Sequence, residues 1–79
     1  MRKVNVLLDT VSKVKGFEAE VAKLPYNMNM TSDRFVVDAK SIMGIFSLDL
    51  ATPKELQILV DTDEDFEKAI APIKQYVVE

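Results

Sequence analysis

Apolar and polar positions change period along the chain, and the changes mark the elements. From Lys3 to Asp9, Val4, Val6 and Leu8 alternate with Asn5, Leu7 and Asp9, the period-two pattern of a half-buried strand. Leu7 falls on the outer face, where scattered apolar residues are common; a covering partner chain is the less economical explanation. Asp9-Thr10-Val11-Ser12 is a connection rich in capping residues, and a helix is expected from about Lys13 to Leu24. There Val14, Phe17, Val21 and Leu24 recur at helical spacing, with Lys15, Glu18, Glu20 and Lys23 turned outward. Pro25 ends it, because a residue before proline avoids helical geometry. The period returns to two in Tyr26–Thr31, where Tyr26, Met28 and Met30 alternate with Asn27, Asn29 and Thr31. Two methionines at that spacing read as core packing rather than as a pliable binding surface. Ser32-Asp33 is a turn signal, and Arg34–Ala39 is a third strand with Phe35, Val37 and Ala39 on one face, placed to pair with the second as a hairpin.

The pattern then turns helical again. Ser41 stands where an N-cap belongs, before the apolar run of Ile42, Met43, Ile45 and Phe46, and the helix is expected to end near Leu48. Gly44 inside this run costs roughly 1 kcal/mol against alanine, which suits a backbone that must approach something closely. Packing on the chain's own sheet is favoured over approach by a partner. Asp49 to Lys54 is a loop marked by Pro53; Glu55–Asp61 is a fourth strand, with Leu56, Ile58 and Val60 facing one way and Gln57 and Leu59 the other. A last helix is expected from about Asp63, capped by Thr62, with a buried stripe of Phe66, Ala69, Ile70, Ile73 and Val77. Pro72 lies inside that stripe and should kink or interrupt it, leaving Val77-Val78 to pack or fray. The triplet Asp63, Glu64, Asp65 suits the positive end of the helix dipole better than it suits a metal site. The resulting order is strand, helix, strand, strand, helix, strand, helix. With one apolar face per strand, the helices must share one side of the sheet: a two-layer α+β sandwich.

Composition narrows the chemistry. Seventy-nine residues make one domain spanning 1–79 with a thin core. The 48% hydrophobic content argues against disorder, and a net charge of −3 gives no support for direct nucleic-acid binding. The chain has no cysteine and no histidine, so a disulfide framework, thiolate catalysis and a zinc site are not expected. It offers no nucleophile–base pair, and its two glycines, Gly16 and Gly44, lie too far apart for a phosphate loop, so no enzymatic activity and no cofactor are expected. No stretch reads as a signal peptide or a membrane span, which makes the cytoplasm the default location.

The contiguous run Ala39-Lys40-Ser41-Ile42-Met43-Gly44, followed by Ser47 and Leu48, resembles the regulatory-serine segment of HPr, the histidine-containing phosphocarrier of the bacterial sugar phosphotransferase system. The element order agrees, so the resemblance covers nearly the whole chain, most strongly from Arg34 onward. It implies an open-faced β-α-β-β-α-β-α sandwich, with a four-stranded antiparallel sheet and three helices on one face. In that family the first helix begins with the phospho-acceptor histidine, followed closely by an arginine and a proline. Counting from Asp9, the matching positions are Lys13 (or, with a slip of one, Ser12) for the histidine, Lys15 for the arginine and Gly16 for the proline. Neither replacement can relay phosphate. A serine ester is too stable to pass its phosphoryl group on, and a lysine amine is mostly protonated near neutral pH.

The resemblance implies a regulatory protein unable to act as a histidine phosphocarrier. Ser41 is its candidate phosphorylation site, and Lys40, Ile42, Met43, Gly44, Ile45 and Phe46 are its candidate partner-binding residues. The implied partners are proteins: an HPr kinase, a transcriptional regulator of carbon catabolite control, or phosphotransferase components. The alternative is an unphosphorylated interaction module on the same fold, binding a phosphotransferase partner or itself. A monomer or weak dimer is expected.

Overall fold

The computed structural model describes residues 1–78. Its strands are β1 (Arg2–Val6), β2 (Met28–Ser32), β3 (Phe35–Asp38), β4 (Lys54–Ile58) and β5 (Val77–Val78). Its helices are α1 (Val11–Ala22), α2 (Ile42–Phe46) and α3 (Asp63–Ile70), the last continuing as a 3₁₀ segment, Ala71–Tyr76. The sheet order is β3-β2-β4-β1-β5, and every neighbouring pair is antiparallel.

Register explains why the sheet has one covered face. Val4, Leu56, Met30 and Val37 lie side by side across β1, β4, β2 and β3. The next row on the opposite face is Lys3, Gln57, Asn29 and Asp38, which is polar throughout. The helices therefore pack on the first face. There Val14, Phe17 and Val21 of α1, Ile45 of α2, and Ala69, Ile70 and Ile73 of the C-terminal helical run meet Val6, Met28, Met30, Leu56 and Ile58 in one core. Both strand methionines are core residues, as their spacing predicts.

The expectation of four strands is corrected to five. Val77-Val78 pairs with β1, Val6 opposite Val77 and Asn5 opposite Val78, and the Leu7 N–H donates to the Tyr76 carbonyl at 2.9 Å. Pro72 is the cause. It has no N–H to donate, so α3 ends at Ile70 and the chain tightens into the 3₁₀ segment, which delivers the two β-branched valines to the free edge of β1.

Helix α1 starts two residues earlier than the apolar spacing suggests. The Thr10 hydroxyl accepts a hydrogen bond from the Lys13 N–H at 3.1 Å, which makes Thr10 the N-cap. Val11 then enters the helix exposed, so it leaves no trace in the buried pattern. Phe35 also departs from expectation. Its strand neighbours Ala39 and Val37 are buried and half-buried, but Phe35 lies at the hairpin end opposite Ser32 and is 63% exposed. The turn is closed by Asp33 at φ 52°, a left-handed conformation that aspartate tolerates.

The acidic start of α3 is structural. Asp63 pairs with Arg2 at 2.6 Å, Glu64 with Lys68 at 3.0 Å, and Asp65 accepts from the Tyr26 hydroxyl at 3.4 Å. Arg2 also lies over the Phe66 ring, 5.7 Å from its centroid.

Candidate functional site

The chain leaves β3 through a tight turn. The Asp38 carboxylate accepts from the Lys40 N–H at 2.9 Å, and the Asp38 carbonyl accepts from the Ser41 N–H at 2.9 Å. Ser41 itself has extended backbone angles (φ −98°, ψ 107°), and its Oγ accepts from the Gly44 N–H at 3.1 Å. This is the N-cap expected from the sequence. At the other end, the Ser47 hydroxyl donates to the Gly44 carbonyl at 2.6 Å. Between them α2 is barely more than one turn, held by its two hydroxyl caps.

Gly44 sits where the helix meets its own sheet. A Cβ there would lie 3.2 Å from the Val37 Cβ and 3.3 Å from the Ser41 Oγ. The close approach is to β3, as favoured from the sequence, and it lets α2 lie flat on the sheet edge.

The candidate partner-binding residues divide once the helix is in place. Met43 is 78% exposed and Phe46 is 42% exposed, with Ile42 half-buried between helix and core. Ile45 is completely buried and cannot meet a partner, which corrects its expected role: its position in the turn points it at the core. Lys40 has a structural contact of its own. Its ammonium donates to the Leu24 carbonyl at 2.8 Å, at the C-terminal end of α1, where a cation satisfies a free carbonyl. Lys40 thus fixes the start of α2 to α1. The surface that remains is Ser41, Met43 and Phe46, flanked by Ile42.

The start of α1 is arranged differently. Lys13, the third helical residue, donates to the Asp9 carboxylate at 2.9 Å. That hydrogen bond, reinforced by the lysine's charge, holds the Asp9 carboxyl below the usual carboxylate range. Ser12 and Lys15 are exposed. Gly16 is the sixth residue of the helix, and the Tyr76 hydroxyl occupies the space a Cβ there would take, so a side chain would collide with it. The Tyr76 ring meets Phe17 edge-on, with centroids 5.8 Å apart. Neither Tyr76 against Gly16 nor Thr10 as the cap was singled out from the sequence. A threonine three residues before Lys13 was the available signal for the cap; the tyrosine contact joins residues 60 positions apart and leaves none. Among the described residues, no hydrogen bond or ion pair joins Ser12, Lys13 or Lys15 to the Ser41 segment.

A family model described as the PTS HPr component phosphorylation site matches residues 4–79. The chain belongs to the HPr family. Members of this family are phosphocarriers of the phosphotransferase system rather than enzymes, in agreement with the absence of a nucleophile–base pair. The fold is similar to the crystal structure of HPr-C-His from Thermoanaerobacter tengcongensis, with a TM-score of 0.73 over 95% of this chain and 93% of that one, at 23% identity. It is also similar to the phosphocarrier protein HPr from Bacillus anthracis strain Ames, with a TM-score of 0.67 over 90% and 92% of the two chains, at 26% identity. A search of curated proteins finds no match. The chain itself contains no histidine. No helix among the described residues is long and apolar enough to cross a membrane.

Proposed function

We propose that this HPr-family chain is a regulatory protein of the phosphotransferase and carbon-control system that does not carry phosphate on histidine. On this reading Ser41 is phosphorylated, and Met43 and Phe46 are the contacts a protein partner reads beside it. The observation that carries the proposal is the pairing of an exposed Ser41 hydroxyl with an exposed methionine on the same short helix, in a chain without an acceptor imidazole. A phosphate on Ser41 adds about −1.5 to −2 charges beside first-turn N–H groups that favour an anion. Apolar side chains next to a new charge give a partner both a hydrophobic anchor and a switch.

We infer further that Thr10, rather than Lys13 or Ser12, stands at the histidine's position. Family spacing puts the proline three residues after the histidine. Matched to Lys13, that proline falls on Gly16, in the interior of α1, where it would remove an i to i−4 hydrogen bond. Matched to Thr10, it falls on Lys13 in the first turn, where a missing N–H is tolerated. The arginine position is then Ser12. Under either alignment the acceptor position holds no imidazole.

The test is a binding titration against the transcriptional regulator and the phosphotransferase components of the source organism, with unmodified and Ser41-phosphorylated chain. Phosphorylation should change affinity at least about tenfold, and Met43→Lys should abolish the difference. Affinities indifferent to phosphorylation, to Ser41→Ala and to Ser41→Asp would leave the unmodified interaction module as the correct reading.

A further inference from the structure

We propose that the free edge of β3 pairs with β3 of a second copy, forming a weak symmetric dimer with Val36 on the two-fold axis. The edge is open because β3 is the outermost strand of the sheet. It is also unusually apolar for an edge, since Phe35 and Val36 are each 63% exposed. Proteins that remain monomeric blunt such edges with inward-pointing charges, prolines or bulges, and none of these interrupts Phe35-Val36-Val37.

The hydrogen-bonding phase fits self-pairing. The Ala39 N–H donates to the Met28 carbonyl at 3.0 Å, so Ala39 and Met28 form a bonded pair. In an antiparallel ladder bonded and non-bonded pairs alternate. Val37 with Met30 and Phe35 with Ser32 are then the other bonded pairs, and Val36 and Asp38 direct their N–H groups to the open edge. A two-fold axis at Val36 lets each Val36 N–H donate to the Val36 carbonyl of the other copy.

The side chains fit the same axis. Arg34-Phe35-Val36-Val37-Asp38 is complementary to its own reverse. With Val36 opposite itself, Phe35 faces Val37 of the second copy and Arg34 faces Asp38 of the second copy, twice over by symmetry. Opposite charges directly across a strand pair stabilise it, and like charges there oppose it. Arg34 and Asp38 are both exposed and lack a salt-bridge partner within the chain among the described residues. Phe35 is covered in the dimer by Val37 of the second copy, the residue against which Gly44 and α2 pack. The contact is small, so association is concentration-dependent.

Analytical ultracentrifugation of the full chain from micromolar to millimolar concentration tests this. The native chain should move from monomer toward dimer. Val36→Pro removes the outward N–H but no bond within the hairpin, so the fold should keep its melting transition while the dimer is lost. Arg34→Asp and Asp38→Arg, each alone, should weaken association at least about tenfold by placing like charges across the axis. An equimolar mixture of those two variants should associate again, because the acids of one then face the arginines of the other. Rescue of this kind cannot come from misfolded variants. A chain that stays monomeric throughout, a dimer that survives Val36→Pro, or a mixture no more associated than its components would each overturn the proposal.

Discussion

Helices α1 and α2 open with the same device and put it to different use. Each begins on a hydroxyl side chain that accepts from the N–H three residues on, at 3.1 Å: Thr10 from Lys13, and Ser41 from Gly44. Beyond the cap they diverge. In α1 the nearby cation is tied to Asp9, the helix carries three core residues, and its glycine is pressed by a tyrosine. In α2 only Ile45 is fully buried and Ile42 half-buried, while Met43 and Phe46 of the short helix face outward. The comparison teaches that an N-cap alone says nothing about function. What distinguishes the α2 cap is the exposed apolar surface beside it and a backbone already fixed to its neighbours by Gly44 and Lys40.

If α1 is scaffold and α2 is surface, their aromatic residues should behave in opposite ways. Phe17→Ala empties a completely buried site and should cost about 3–5 kcal/mol, enough to unfold much of so small a domain. Phe46→Ala should cost under about 1 kcal/mol, since its ring is already partly in water. Chemical denaturation of both variants makes the comparison, and equal losses would break it.

The two glycines sharpen it. Gly16→Ala should lose about 1–3 kcal/mol by displacing Tyr76, and Tyr76→Phe in the same chain should return part of that loss by clearing the hydroxyl. At Gly44 the gain in helix propensity of about 1 kcal/mol is set against a neighbour that must shift by a few tenths of an ångström, so Gly44→Ala should change stability little. A thermal double-mutant cycle on Gly16 and Tyr76 that shows no coupling would refute the contact.

Thr10→Ala and Ser41→Ala are a matched pair, each removing one cap at about 1 kcal/mol. Equal destabilisation is expected, with only the Ser41 variant altering partner binding. The smallest effect belongs to Asp9. Its folded pKa is depressed by the Lys13 hydrogen bond, so the stabilisation it brings is present above the unfolded carboxylate value and is lost as pH falls through the folded one. Carboxyl NMR titration should find the Asp9 midpoint below the ordinary range and raised by Lys13→Ala.

Most of the fold was legible because period and punctuation agreed. The alternation of Val4, Val6 and Leu8, the helical spacing of Val14, Phe17 and Val21, and the stops at Pro25 and Pro53 each matched an element. The fifth strand was not legible, since two residues carry no period; only a partner edge makes Val77-Val78 a strand. At the site, the serine cap and the close packing of Gly44 were readable from residue type and spacing. The division of its neighbours was not. Lys40 and Ile45 looked as available as Met43 until Leu24 and the core supplied their partners. On the alignment proposed above, the position matching the histidine depends on where α1 starts, which hangs on one hydroxyl at Thr10.

The most direct test is a pair of phosphorylation reactions. The chain is incubated with HPr kinase and ATP, and separately with enzyme I and phosphoenolpyruvate, beside a control HPr, and the phosphate is located by mass spectrometry. Phosphate on Ser41 from the kinase alone, with the control labelled in both reactions, is the expected result. Phosphate accepted from enzyme I, or an unlabelled Ser41 beside a labelled control, would contradict it.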